Sequence, residues 1–100
     1  MSVEIMSILL ANRVALEVLK QVADMRSVRF KEILESKEIL ESVGAENKEE
    51  ESRVQVEDAV KVLKDAHLIR ERSAPIEDFS SYYVTADGLS AASELRRSNL

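Results

Sequence analysis

Apolar residues at helical spacing dominate the first quarter of the chain. Leu9, Leu16, Leu19 and Ala23 fall on one face, and Met6, Leu10, Val14, Val18 and Val22 form an i,i+4 row that drifts round beside it. The spacing predicts a helix from Ser2 to Asp24, with Asn12 placed to N-cap a second segment if the helix breaks there. A surface helix buries one stripe. A face this wide puts the helix at the centre of a core or against a partner. Ser27-Val28-Arg29 reads as a short extended connector. Phe30, Ile33 and Leu34 then open a second helix that runs to Val43, with Gly44 as its C-terminal stop. Val56, Ala59, Val60, Leu63 and Ala66 define the inward face of a third helix, Ser52 to Ala66.

The period then shortens. His67 to Arg72 reads as a strand, Ser73 to Asp78 with Pro75 as a turn, and Phe79 to Val84 as a second strand rich in aromatic and β-branched residues. Tyr82 and Tyr83 alternate across it, so one faces inward and the other outward. Thr85 is placed to cap a last helix, Ala86 to Arg97, with Leu89, Ala92 and Leu95 inward. Within the second helix Lys31-Glu32-Ile33-Leu34-Glu35-Ser36 recurs as Lys37-Glu38-Ile39-Leu40-Glu41-Ser42. Six residues are not a whole number of helical turns, so the second copy turns to another face unless the helix breaks between the copies. The interleaved lysines and glutamates make an exposed, salt-bridged face.

Composition narrows the possibilities. One hundred residues with 45% hydrophobic and 33% charged side chains make a single aliphatic-core domain, 1–100, with 1–11 as a helical extension. Two glycines and one proline are too few for an all-β fold. Without cysteine, and with His67 as the only histidine, thiolate sites and multi-histidine metal sites are excluded. His67 is expected as a helix-to-strand turn residue, and no catalytic residue, metal site or cofactor is expected. No apolar run reaches the roughly 18 residues of a membrane span, and no basic segment precedes the first helix, so a cytoplasmic protein without membrane contact is expected.

Net charge is −5, and its distribution matters more than its sum. Residues 43–58 hold two basic and six acidic side chains, whereas residues 59–73 hold four basic and two acidic. Ala45 to Glu51 is polar and acidic and is expected to be the most mobile internal loop. A smaller basic cluster, Arg26, Arg29 and Lys31, precedes the repeat.

The order helix, helix, helix, strand, strand, helix is similar to that of winged helix-turn-helix domains of prokaryotic regulators. Two stretches carry the resemblance. Val60-Lys61-Val62-Leu63-Lys64-Asp65-Ala66-His67-Leu68-Ile69 resembles the end of the third helix, with Ala66-His67-Leu68 where that family has alanine-glycine-leucine. Tyr82-Tyr83-Val84-Thr85-Ala86-Asp87-Gly88 resembles the motif that ends the wing and caps the next helix. The resemblance covers roughly residues 12–97. It implies an α+β, mostly helical fold: three helices, a β-hairpin wing and a C-terminal helix. It also implies a homodimeric transcription-regulator-like protein that binds double-stranded DNA, its third helix in the major groove.

By position, Arg53, Gln55, Lys61 and Lys64 on the third helix and Arg70 and Arg72 on the first wing strand are the expected DNA contacts. Ile5, Ile8 and Leu9 are the expected dimer contacts. The departures lie in charge and length. Three of the six outward residues of the third helix (Val54, Glu57, Asp58, Lys61, Lys64 and Asp65) are acidic, and the link before it is long. If the five basic side chains among the expected contacts form one continuous stripe, DNA is favoured. If acids interrupt it, a winged-helix interaction module that docks on a basic protein surface is the alternative. Arg70 and Arg72 have a second possible use, pairing with Glu77 or Asp78 across the hairpin.

Overall fold

The computed structural model describes residues 3–44 and 49–98. The first expected helix is two helices, α1 (Val3–Ala11) and α2 (Arg13–Met25), separated at Asn12. Asn12 caps α2 as its side chain predicts, its Oδ1 accepting from the Ala15 N–H at 3.0 Å. α2 runs through the middle of the molecule. Val14, Ala15, Leu16, Val18, Leu19, Val22 and Ala23 are all buried. It packs against α5 (Glu49–Asp65), α6 (Ala86–Arg97) and the sheet. The wide apolar face therefore serves this chain's own core. Glu17 is buried on the same helix, flanked by Arg13 and Lys20 at 3.4 Å each, so its charge is partly compensated.

The hexapeptide repeat is split. α3 (Phe30–Glu35) holds the first copy and α4 (Lys37–Val43) the second, with Ser36 extended between them at φ −68°, ψ 124°. The break turns the second copy so that Ile39 is as fully buried as Ile33, while Leu40 stays exposed. The expected single helix from Phe30 to Val43 is thus corrected. An unbroken helix would have carried Ile39 away from the core. Gly44 ends α4 at φ 65°, a left-handed conformation that glycine adopts without a Cβ clash.

α5 begins at Glu49, three residues before the expected start, so Glu49, Glu50 and Glu51 are helical rather than part of a loop. Glu50 and Glu51, near the start of the described helix, suit the positive end of its dipole. The rest of the expected loop, residues 45–48, lies outside the described residues. α5 buries Val56, Ala59, Val60 and Leu63 against α2 and ends at a tight turn. His67 occupies that turn at φ 60° and is exposed.

Three strands form one antiparallel sheet in the order β1-β3-β2: β1 (Ser27–Arg29), β2 (Ile69–Arg72) and β3 (Ser81–Val84). The expected hairpin is present. It gains a third strand because the extended connector pairs with β3, Val28 opposite Tyr82. Phe79 is not on a strand. It ends a 3₁₀ turn, Glu77–Phe79, and β3 starts two residues later. Val28, Ile69 and Tyr82 face inward and are buried, with the Tyr82 ring 6.2 Å from that of Phe30.

Thr85 joins the sheet to α6. Its side chain accepts from the Gly88 N–H at 3.0 Å, and its hydroxyl lies 2.8 Å from the His67 carbonyl and 3.0 Å from that of Leu68. Gly88 packs directly on the Leu68 carbonyl, with no room for a Cβ. Arg96, in the last turn of α6, pairs with Asp24 of α2. The result is an α+β, mostly helical molecule with a small antiparallel sheet. Among the described residues no helix is long and apolar enough to cross a membrane.

Candidate nucleic-acid interface

The six side chains singled out, four on α5 and two on β2, divide into two groups. Arg53 is engaged inside the molecule. Its Nη2 donates to Glu77 Oε1 at 2.7 Å and Asp78 Oδ1 at 2.6 Å, and its guanidinium lies 5.2 Å from the centre of the Phe30 ring. These hydrogen bonds, Asp78 foremost, hold the guanidinium charged. Arg53, expected as a DNA contact, is thus paired with two acids of its own chain while its side chain stays 37% exposed. Through Nη2 alone it ties the 3₁₀ turn between the two strands to α5.

Lys64 bonds Glu71 at 2.6 Å, and Lys61 pairs with Asp65 at 3.0 Å one helical turn away. Lys61 stays largely exposed, so its pair is weak. Its neighbours on the outward face of α5, however, are Glu57, Asp58 and Asp65. Glu57 titrates above the usual carboxylate range, because burial and a hydrogen bond from its side chain to Glu77 both disfavour its charge. Gln55 is half-buried on the same helix. Acids therefore interrupt the expected stripe.

Arg70 and Arg72 behave differently. Both are exposed, and Glu77 and Asp78, their possible partners across the hairpin, bond Arg53 instead. The strand register adds a third arginine. Arg29 of β1 and Arg72 of β2 lie on either side of Ser81, and Arg70 lies opposite Tyr83, which faces Ser27 on the other side. The outward side of the sheet thus carries Arg29, Arg70 and Arg72 with Ser27, Ser81 and Tyr83. Among the described residues no salt bridge engages these three arginines, and no acid shares their positions in the sheet.

Glu71 sits between Arg70 and Arg72 in sequence but points to the other side of β2. Lys64, then Ser73, hold its carboxyl below the usual range. Burial, then the Glu71 charge, pushes the Tyr82 phenol above its ordinary range. That acid is thus compensated where it stands. Arg29 was visible in the sequence only as part of a minor basic cluster. The period-two alternation of Ser27-Val28-Arg29 against Ser81-Tyr82-Tyr83 places it beside Arg72, and only the pairing of distant strands supplies that information.

The expected dimer contacts also separate. Leu9 is 1% exposed within its own chain and belongs to the core, which removes it from any interface. Ile5 packs partly against that core, and Ile8, Val3 and Leu10 are exposed, with Ile8 on a different side of α1 from the other two. His67 lies in its turn as expected, and among the described residues no group of three or more His, Asp or Glu side chains is placed to hold a metal ion. Compared with protein-family models, curated proteins and solved structures, the chain matches none.

Proposed function

We propose that this protein is a winged-helix nucleic-acid-binding protein that holds duplex DNA through the outer side of its sheet and wing, with α5 in a minor role. The observation that carries this reading is the three-arginine face, Arg29, Arg70 and Arg72, set by strand register with no acid at the paired positions on that side of the sheet. Arginine forks fit phosphate oxygens, and desolvating them costs less than desolvating lysine ammonium groups. The acidic outward face of α5 argues against deep reading of a groove and for contacts made mostly to phosphates. The element order and the Thr85 cap support the winged-helix resemblance. A homodimer built on α1, where the exposed Val3 and Leu10 share one side, belongs to the same reading and would double the number of phosphate contacts.

A titration of random duplex DNA at about 50 mM salt tests the proposal, because phosphate contacts are strong there. Three contacts per chain give a log–log salt slope of roughly −3 for a monomer and twice that for a dimer. Arg70→Ala and Arg72→Ala each flatten it by about one unit. Arg53→Ala lowers thermal stability without changing sequence preference, because its charge is already spent on Glu77 and Asp78. Absence of binding at low salt, or a slope untouched by the wing arginines, overturns the reading. A second reading, a module that docks on a basic protein surface, is favoured by one feature: exposed Val54 lies on the same helix face as Glu57, Asp58 and Asp65. It would be supported if the duplex fails to bind.

A further inference from the structure

Two aromatic side chains are unexplained by the core. Phe30 and Tyr82 pack inside, but Phe79 is half-exposed and Tyr83 faces outward. Both line one open cleft of about 330 Å³, and Arg29, Arg72, Ser73 and Ser81 complete its polar lining. That volume lies at the lower end of small-ligand sites. The two arginines flank the cleft from opposite outer strands, with Ser81 between them.

The walls are fixed before any ligand arrives. The Ala74 N–H donates to the buried Ser80 hydroxyl at 3.0 Å, and the Ser80 carbonyl accepts from the Phe30 N–H at 2.9 Å. The Phe79 N–H closes the 3₁₀ turn on the Ile76 carbonyl at 3.0 Å, and Arg53 clamps Glu77 and Asp78 in that same turn. Phe79 is therefore presented by a pinned segment, and Tyr83 by the central strand. Two acids lie near. Glu32 accepts from the Arg29 backbone N–H at 3.1 Å, and the Ser73 hydroxyl reaches Glu71, whose charge Lys64 offsets.

We propose that this cleft seats an unpaired base of a single-stranded nucleic acid, stacked against Tyr83 and Phe79, while Arg29 and Arg72 hold the phosphates on either side. The proposal deepens the phosphate-binding reading and rests on it. A duplex needs only the arginines, since its bases are stacked within the helix and offer no face to a protein ring. Exposed aromatics beside cations suit strands whose bases are free, and such stacking tolerates any sequence. Neither ring is consumed by the core, which is the cost a stacking platform accepts.

Fluorescence anisotropy on the whole chain at low salt tests this with three probes: a labelled thymidine strand, the same strand with abasic sites in place of its bases, and a blunt duplex. The strand needs roughly a dozen nucleotides to span one site. The thymidine strand is expected to bind at least tenfold more tightly than the abasic strand. Tyr83→Ala should remove most of that difference and leave the abasic affinity unchanged, whereas Tyr83→Phe, which keeps the ring, retains it. Arg29→Ala and Arg72→Ala should weaken both strands alike and flatten the salt slope by about 0.7 each. Tyr83 lies on the outer side of the sheet, and a circular-dichroism melt confirms that each variant folds. Equal affinity for the thymidine and abasic strands, or no effect of Tyr83→Ala on a folded protein, overturns the stacking site. If the duplex still binds with an arginine-dependent slope, the broader reading survives that result. If no probe binds, both fall.

Discussion

Two backbone positions show how individual residues hold the junction between α5, the sheet and α6. At His67 the chain takes φ 60°, which costs a residue with a Cβ about 1 kcal/mol. The strain persists because the turn must bring Leu68 under Thr85, whose own N–H bonds the Leu68 carbonyl at 3.1 Å. At Gly88 a Cβ would strike the Leu68 carbonyl and come within 2.8 Å of Val84 Cγ2. Gly88→Ala is therefore expected to cost about 1–3 kcal/mol by overpacking, although alanine is the better helix former. Thr85→Ala should cost about 1 kcal/mol through loss of the cap. Thr85→Ser, which keeps the hydroxyl, should restore most of that. Chemical denaturation of the three variants checks the order. A Gly88→Ala protein as stable as the parent would show that α6 does not sit on Leu68 as described.

At the scale of the element, the repeated hexapeptide is the informative case. Two identical runs of Lys-Glu-Ile-Leu-Glu-Ser occupy two short helices, and the break at Ser36 makes their burial patterns similar rather than opposed. Ile33 and Ile39 are both fully buried, Leu34 is half-buried and Leu40 is exposed. Ile33→Ala and Ile39→Ala are each expected to destabilise by about 2–5 kcal/mol, whereas Leu40→Ala should change stability by less than about 1 kcal/mol. Urea unfolding measures all three. Equal losses at Ile39 and Leu40 would mean that the second copy packs in a different orientation. α5 offers the complementary lesson. Its inward face was readable from spacing, but two of its basic residues are tied to partners on other elements, Arg53 to Glu77 and Asp78 of the 3₁₀ turn and Lys64 to Glu71 of β2.

Across the whole molecule, acid titration has a definite sign. Lys64 holds Glu71 below its ordinary value of 4.5, so this pair stabilises the fold above that value and its contribution disappears as pH falls through the depressed one. Glu57 is shifted the other way, by burial and by Glu77, so it favours the folded state more in acid and opposes the Glu71 effect. Denaturant midpoints measured between about pH 6 and pH 3 should fall on acidification, with a shallower fall in Lys64→Met than in the parent. A parallel fall in both proteins would show that other carboxylates, rather than the Lys64–Glu71 pair, set the acid limb.

Local spacing was enough to locate six of the elements, because an apolar residue every three or four positions, or every second one, reports which side faces a core whatever that core contains. The Asn12 and Thr85 caps and the Gly44 stop were legible for a similar reason: their hydrogen bonds or dihedral angles involve neighbours within four residues. What spacing could not reveal was pairing. The third strand, the commitment of Arg53 to the 3₁₀ turn, the retreat of Leu9 into its own core and the meeting of Arg29 with Arg72 across Ser81 all join residues more than a few turns apart. A side chain's charge is written in the sequence. Whether that charge is neutralised or left facing solvent depends on which distant strand or loop arrives beside it, and only the packed molecule decides that.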